Sequence, residues 1–351
     1  MTSSPTDTKC RSLVRFARLH PNVLYLVLLI GLGISVIIAL VTGPVLVPYS
    51  TVFRLPQTLI GLCNPEGTDQ SLTIMEIRFS RVLAAGLVGA GLSVSGAVLQ
   101  GLFRNPLVSS HILGVTPGAG LGAACAILIG ASLPIIALFS FIGGMGALCL
   151  TIAIAGTRSA YGSIMLVLAG IICGALFQAL TALVKYLADP GDLLPSIVFW
   201  LMGSFNHLTP AILLYASILI LLPVAFLIAI RWQVSLLSLG EESVQSLGVD
   251  LRTLVLLILI STALIASASV AIAGMIGWVG LLVPNVVRIL TGPDYRILIP
   301  ACALCGAVYL ISADTLARSL TFYEIPIGII TAMIGAPVLI LLMRRETGWW
   351  Q

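Results

Sequence analysis

Long apolar runs separated by short polar islands repeat along the whole chain. Residues 23–43, VLYLVLLIGLGISVIIALVTG, carry no charge at all. A helix needs about 20 mostly apolar residues to cross a hydrocarbon core roughly 30 Å thick, and this run meets that need alone. The pattern predicts nine further spans, over 82–102, 113–130, 133–155, 162–186, 210–230, 252–272, 275–293, 298–317 and 326–343. Three polar segments interrupt them at length. Residues 44–81 include the turn-rich NPEGTDQ. Residues 187–209 hold LLPSIVFWLMGSF, which reads as a short interfacial helix. Residues 231–251 centre on SLGEESVQSLGVD. None is large enough for a soluble catalytic domain. The expected architecture is all-α and polytopic: an N-terminal segment 1–22, one ten-helix transmembrane domain 23–345, and a tail 346–351.

Composition agrees with that pattern and removes the soluble alternatives. Of 351 residues 59% are hydrophobic and 9% charged, against about 25% charged in a soluble domain. A cleaved signal peptide does not fit the N-terminus, because the first run is too long and no A-x-A-like site follows. Seven cysteines form no disulfide framework. Cys125, Cys149, Cys173, Cys302 and Cys305 fall in apolar runs, where free cysteine behaves as a small hydrophobe. His20, His111 and His207 are scattered without ligand spacing, so no metal or cofactor is expected. The net charge of +4 is spread along the chain, which gives no surface for nucleic acid.

The cations instead report topology. Lys9, Arg11, Arg15 and Arg18 precede the first span, which places the N-terminus in the cytoplasm. Ten crossings return Arg344 and Arg345 to the same side. Arg104, Arg158, Arg231, Arg252, Arg288 and Arg296 also fall there, making twelve of the seventeen basic residues cytoplasmic. Charged groups well inside the bilayer are nearly absent. No buried chain of Asp, Glu or His suggests a proton relay, which weighs against a proton-coupled carrier.

The glycine run GVTPGAGLGA, residues 114–123, fits the loose G-x-G-x-x-G/A dinucleotide pattern. That pattern has a mechanism only between a buried strand and a helix, and here it lies in an apolar span. Gly114, Gly118 and Gly122 keep small-xxx-small spacing on one face, the usual device for close helix approach in lipid. The sequence also lacks G-x-x-x-x-G-K-[ST], so this chain is not expected to hydrolyse ATP itself.

Three stretches together resemble the permease subunits of the iron-siderophore, haem and vitamin B12 class of ABC importers (FecCD/BtuC-type). They are RFSRVLAAGLVGAGLSVSGAVLQGLFRNPLVSSHILGVTPGAGLG (78–122), SLGEESVQSLGVD, and the segment 277–345 beginning GWVGLLVPNVVRILTGPDYR. The resemblance implies a homodimer of ten-helix subunits in the cell inner membrane, with the translocation path at the dimer interface. It implies two cytoplasmic ATPase subunits and a substrate-binding protein docking from outside. The cargo class it implies is an iron chelate, haem or corrinoid, with oxyanion transport sharing the scaffold. The family commonly has histidine after the proline of VPNVVR, where this chain has Asn285. The rival class is an ATP-independent secondary transporter or channel.

Candidate functional residues follow from position and from that resemblance. SLGEESVQSLGVD suits an ATPase-coupling element, with Leu239, Gly240, Glu241, Glu242 and Gly248 as its principal residues. Ser238 and Glu241 have capping-box spacing, acids suit a helix N-terminus, and Gly240 and Gly248 allow sharp turns. The resemblance places Asn105 and Leu107 of FRNPL near a cytoplasmic gate, together with Ser163. It also assigns Arg78, Arg81 and Arg318 to the docking surface for the binding protein. Topology agrees, since these three are among five basic residues expected outside. Arg318 follows Asp314 by four, which also allows a local ion pair.

Overall fold

The computed structural model describes residues 20–43, 70–156, 163–237, 250–321 and 323–345. Twelve helices and no strand occur among them: α1 (Pro21–Val41), α2 (Gln70–Phe103), α3 (Val115–Leu128), α4 (Leu133–Ala155), α5 (Ser163–Leu187), α6 (Leu193–Met202), α7 (Pro210–Ala229), α8 (Arg231–Leu237), α9 (Leu251–Ala273), α10 (Val279–Thr291), α11 (Tyr295–Ser319) and α12 (Ile327–Arg345). Seven are long and apolar enough to cross a membrane. Each of the ten expected spans corresponds to a helix, and α6 forms inside the LLPSIVFWLMGSF stretch.

Local chemistry sets the ends. Pro21 and Pro210 stand in first turns, where the missing N–H costs nothing. Thr209 Oγ1 accepts from Ile212 N at 3.3 Å to cap α7. Asp250 accepts from Arg252 N at 3.0 Å and Asp294 from Arg296 N at 2.9 Å, capping α9 and α11.

Two expected spans are markedly shorter than predicted. At 1.5 Å per residue, α3 is about 21 Å long and α10 about 20 Å, less than the hydrocarbon thickness. Residues 104–114 and 274–278 supply the rest as irregular backbone. Such backbone survives at membrane depth only where protein or a cavity surrounds it. By contrast α2 starts twelve residues before the expected 82, because no Gly or Pro interrupts 70–85.

Helices α2 and α9 form the interior, each with 78% of its most apolar window buried. α2 packs along α11, and α9 lies against α4 and α7. α1, α4, α5 and α7 bury only 22–33% of theirs. Their outer faces, such as Ile164, Met165, Leu168, Ile171 and Ile172 on α5, remain exposed and apolar. A large apolar exterior is what lipid or a second subunit covers.

The glycine run works as packing. A Cβ on Gly118 would lie 2.7 Å from the Gly143 carbonyl oxygen, and one on Gly122 would collide with that of Phe139, both on α4. Gly114 departs from the expected shared face. It precedes α3 with φ +78° and lies against Gly170 and Cys173 of α5.

Candidate functional site

A cavity of about 700 Å³ opens where the irregular segments meet. One wall is polar, built from Ser109, Ser110 and His111 of the α2–α3 link and Thr116 in the first turn of α3. The rest of the lining is mostly apolar and includes Met202, Met275 and Met333. Methionine is unbranched and adapts to irregular surfaces. Such a lining suits a bulky, partly apolar solute.

Backbone contacts fix the apolar wall. Ser204 N donates to Ala273 O at 2.9 Å, and Ile327 N to Gly203 O at 3.0 Å. The end of α6, the end of α9 and the start of α12 are thereby joined beside the cavity. Trp278, the residue before α10, holds φ +70°, a conformation that costs a non-glycine residue energy. Its side chain rests on Gly335 of α12, where any Cβ would come within 2.8 Å.

Below the cavity, Pro284 interrupts α10. Proline has no N–H, so the carbonyl of Gly280 loses its helical partner. Gln100 of α2 replaces it, donating from Nε2 to Gly280 O at 3.3 Å. Gln100 Oε1 in turn accepts from Arg288 Nη2 at 3.1 Å, and the Arg288 guanidinium lies 5.8 Å over the Tyr295 ring. Asn285 Nδ2 donates to Leu281 O at 2.8 Å and to Pro106 O at 3.2 Å. Pro106 belongs to FRNPL. The expected gate residues are next to it: Asn105 is exposed, its Oδ1 accepting from Leu107 N at 2.9 Å, and Leu107 is 44% exposed. Ser163 opens α5, but its side chain lies outside the described residues. So does the segment with Leu239, Gly240, Glu241, Glu242 and Gly248. The preceding helix α8 is tied to α2 by Arg104 Nε donating to Leu237 O at 3.3 Å.

At the opposite end, Arg78, Arg81 and Arg318 are buried, with 5%, 8% and 4% exposure. The expectation of exposed charge is corrected here. Each guanidinium is drawn inward by partners distant in sequence. Arg81 Nη2 lies 2.9 Å from Asp314 Oδ1, and its Nη1 reaches Asn206 Oδ1 at 2.5 Å and Glu324 Oε2 at 2.9 Å. Arg318 Nε sits 3.2 Å from Asp314 Oδ2, a charge contact rather than an aligned hydrogen bond, while its Nη2 donates to Ala39 O at 2.7 Å. Arg78 Nη1 donates to Leu40 O at 2.9 Å. The cluster therefore pins α1, α2 and α11 together. Asp314, 1% exposed, is a buried acid neutralised by two arginines. Glu324 and Asn206 reach from this cluster into a second cavity of about 530 Å³, where His207 stacks on Trp200.

The FecCD transport family matches residues 29–345. The chain belongs to this family. A molybdate import permease of Haemophilus influenzae is 42% identical over 276 residues, 79% of this chain and 82% of that one. A vitamin B12 import permease of Klebsiella pneumoniae is 38% identical over 316 residues, 85% and 93% of the two chains. A solved metal-chelate-type ABC transporter in an inward-facing conformation superposes with a TM-score of 0.81. It is 37% identical and covers 93% of this chain and all of the other.

Within this FecCD chain, Gln100 and Glu324 were not singled out from sequence, Arg288 entered only as a cytoplasmic cation, and Asp314 only as a local partner of Arg318. Gln100 had a legible signal, a lone amide at the end of an apolar span. Intramembrane polar groups are functional candidates by default.

Proposed function

We propose that this FecCD-family chain is the permease subunit of a binding-protein-dependent ABC importer, working as a homodimer of ten-span subunits in the inner membrane. Both termini lie in the cytoplasm, and the 700 Å³ cavity is each subunit's share of the route. The observation that carries this reading is the cavity itself: irregular backbone, hydroxyl and imidazole groups and three methionines lining a space in an otherwise apolar bundle, open at exposed Ile329 and Met333. A bulky amphiphilic cargo needs such surfaces and no ion-coordinating site. The cargo proposed is an iron chelate, haem or corrinoid, as for the relatives named for metal chelate and vitamin B12. A molybdate-type oxyanion is the second reading, favoured by the relative at 42% identity.

ATP hydrolysis belongs to two separate subunits, and 238–248, with Leu239, Gly240, Glu241, Glu242 and Gly248, is the element that contacts them. Asn105, Leu107 and Ser163 form the cytoplasmic gate. The binding protein docks on the opposite end. Arg78, Arg81 and Arg318 serve docking there as a buried frame that sets the positions of Glu324 and Asn206, rather than as exposed charge.

The test is ATPase stimulation in proteoliposomes holding the chain, its ATPase and its binding protein. The binding protein is loaded in turn with ferric siderophore, haemin, cobalamin and molybdate. Stimulation by one chelate or corrinoid supports the reading, and stimulation by molybdate alone selects the oxyanion. Uptake by the chain without its ATPase establishes the rival secondary carrier.

A further inference from the structure

We propose that Gln100 and Asn285 are positioning residues of the transport cycle, making α10 a proline-hinged lever between the FRNPL segment and the cavity wall. The inference rests on the importer reading above. Its geometry stands on three facts. The first turn of α10 walls the cavity through Gly280 and Leu281. Pro284 breaks the hydrogen-bond ladder one turn later, depriving Gly280 O of its i+4 backbone donor. Two side-chain amides bond on either side of that break, Gln100 Nε2 to Gly280 O in place of the ladder donor and Asn285 Nδ2 to Pro106 O outside the helix.

The two amides fasten α10 to different things. Gln100 joins the cavity half of α10 to α2, and its contact is possible only because Gly96 of α2 packs directly on Gly280. Asn285 joins the other half to the carbonyl of Pro106, between Asn105 and Leu107. Arg288, one turn further, fixes which way the Gln100 amide faces, because its guanidinium can only donate and so takes the oxygen. A displacement of FRNPL is thereby carried through Asn285 to the hinge, and through Gly280 to the cavity wall. A continuous helix would not bend there. A proline without a substitute donor would leave a partly buried carbonyl unpaired, at a cost in desolvation.

A purely structural role for Gln100 would be to satisfy that carbonyl. Replacing Pro284 by alanine restores the backbone donor and removes the need, so the two roles separate in one double variant. The reporter is an Ile329→Cys substitution on the cavity wall, in a chain whose other cysteines are changed to serine or alanine. It is labelled by a membrane-impermeant maleimide in the full proteoliposome complex, with and without a non-hydrolysable ATP analogue. In the otherwise unaltered chain the nucleotide changes the labelling rate. With Gln100→Met that change shrinks about fivefold, the order expected for one lost hydrogen bond. Asn285→Asp, which cannot donate to Pro106 O while ionised, shrinks it similarly. Gln100→Met with Pro284→Ala assembles at the unaltered yield yet keeps the small response. A full nucleotide response in that double variant refutes the lever while leaving the importer reading intact. No response in the unaltered complex refutes the importer reading, and the lever with it.

Discussion

Replacing Asp314 by asparagine removes one buried negative charge and leaves two buried guanidiniums facing each other. Asp314 Oδ1 lies 2.9 Å from Arg81 and Oδ2 3.2 Å from Arg318, and the carboxylate is 1% exposed. At an effective dielectric constant near 20, two charge centres about 4 Å apart attract by about 4 kcal/mol. Both attractions vanish together. The loss is offset in part, because Arg81 keeps Glu324 and Asn206 and Arg318 keeps the carbonyl of Ala39. Removing one partner of a buried pair typically costs 3–5 kcal/mol, so we expect roughly 3 kcal/mol here. Glu324, whose side chain is 31% exposed, should matter far less: Glu324→Gln is expected to cost about 1 kcal/mol or below, since solvent screens it. The assay is reversible SDS titration of the purified chain in mixed micelles, read by tryptophan fluorescence. A double variant, Asp314→Leu with Arg318→Met, removes both members of one pair and should be milder than Asp314→Asn alone. Asp314→Asn within about 1 kcal/mol of the unaltered chain would refute the buried-charge argument, as would a larger cost for Glu324→Gln.

Gly118→Leu should prevent correct packing of α3 on α4, because the Gly143 carbonyl already occupies the space a Cβ needs. The expected result is loss of monodisperse protein on gel filtration, with no dinucleotide binding in the unaltered chain; micromolar dinucleotide affinity would reverse the packing assignment. Replacing Leu239 and Glu242 together with arginine should leave the protein inserted but abolish cargo uptake driven by its ATPase. Normal uptake by that variant would remove 238–248 from the mechanism.

Helices such as α1, α4 and α9 were legible because twenty or more apolar residues without a break have one stable state in lipid. Close helix packing at Gly118 and Gly122 was legible from spacing, though not that α4 is the partner or that Gly114 lies against α5 instead. α10 was overextended for a definite reason. Hydropathy counts Gly274 to Trp278 as apolar, yet φ +66° and +70° at its two ends take the backbone out of helix. The burial of Arg81 was not readable either, because its partner Asp314 lies 233 residues away. Only the adjacent pair, Asp314 with Arg318, had a local signature at four-residue spacing. The methionine wall was likewise hidden, since Met202, Met275 and Met333 come from three separate segments.

The positions that hydropathy misjudged are also those that build the cavity and its connections. A run of regular spans packs side chain against side chain and encloses little space. Here α3 and α10 stop short, and the chain between helices runs at depth, held by bonds such as Ser204 N to Ala273 O and Ile327 N to Gly203 O. Those bonds join segments on either side of the cavity, and Gly277 and Trp278 carbonyls accept from Val279 N and Leu282 N where 274–278 turns into α10. At Pro284 a side chain of α2 takes over a backbone donor's place. That exchange moves a hydrogen bond from within a helix to between helices. A bond between helices breaks or forms when the helices shift, whereas one within a helix does not register the shift. An importer must connect a nucleotide-driven movement at one face to the cavity its cargo passes. In this chain the bonds able to respond to such movement lie between those two places, from Pro106 through Asn285 and Gln100 to Gly280.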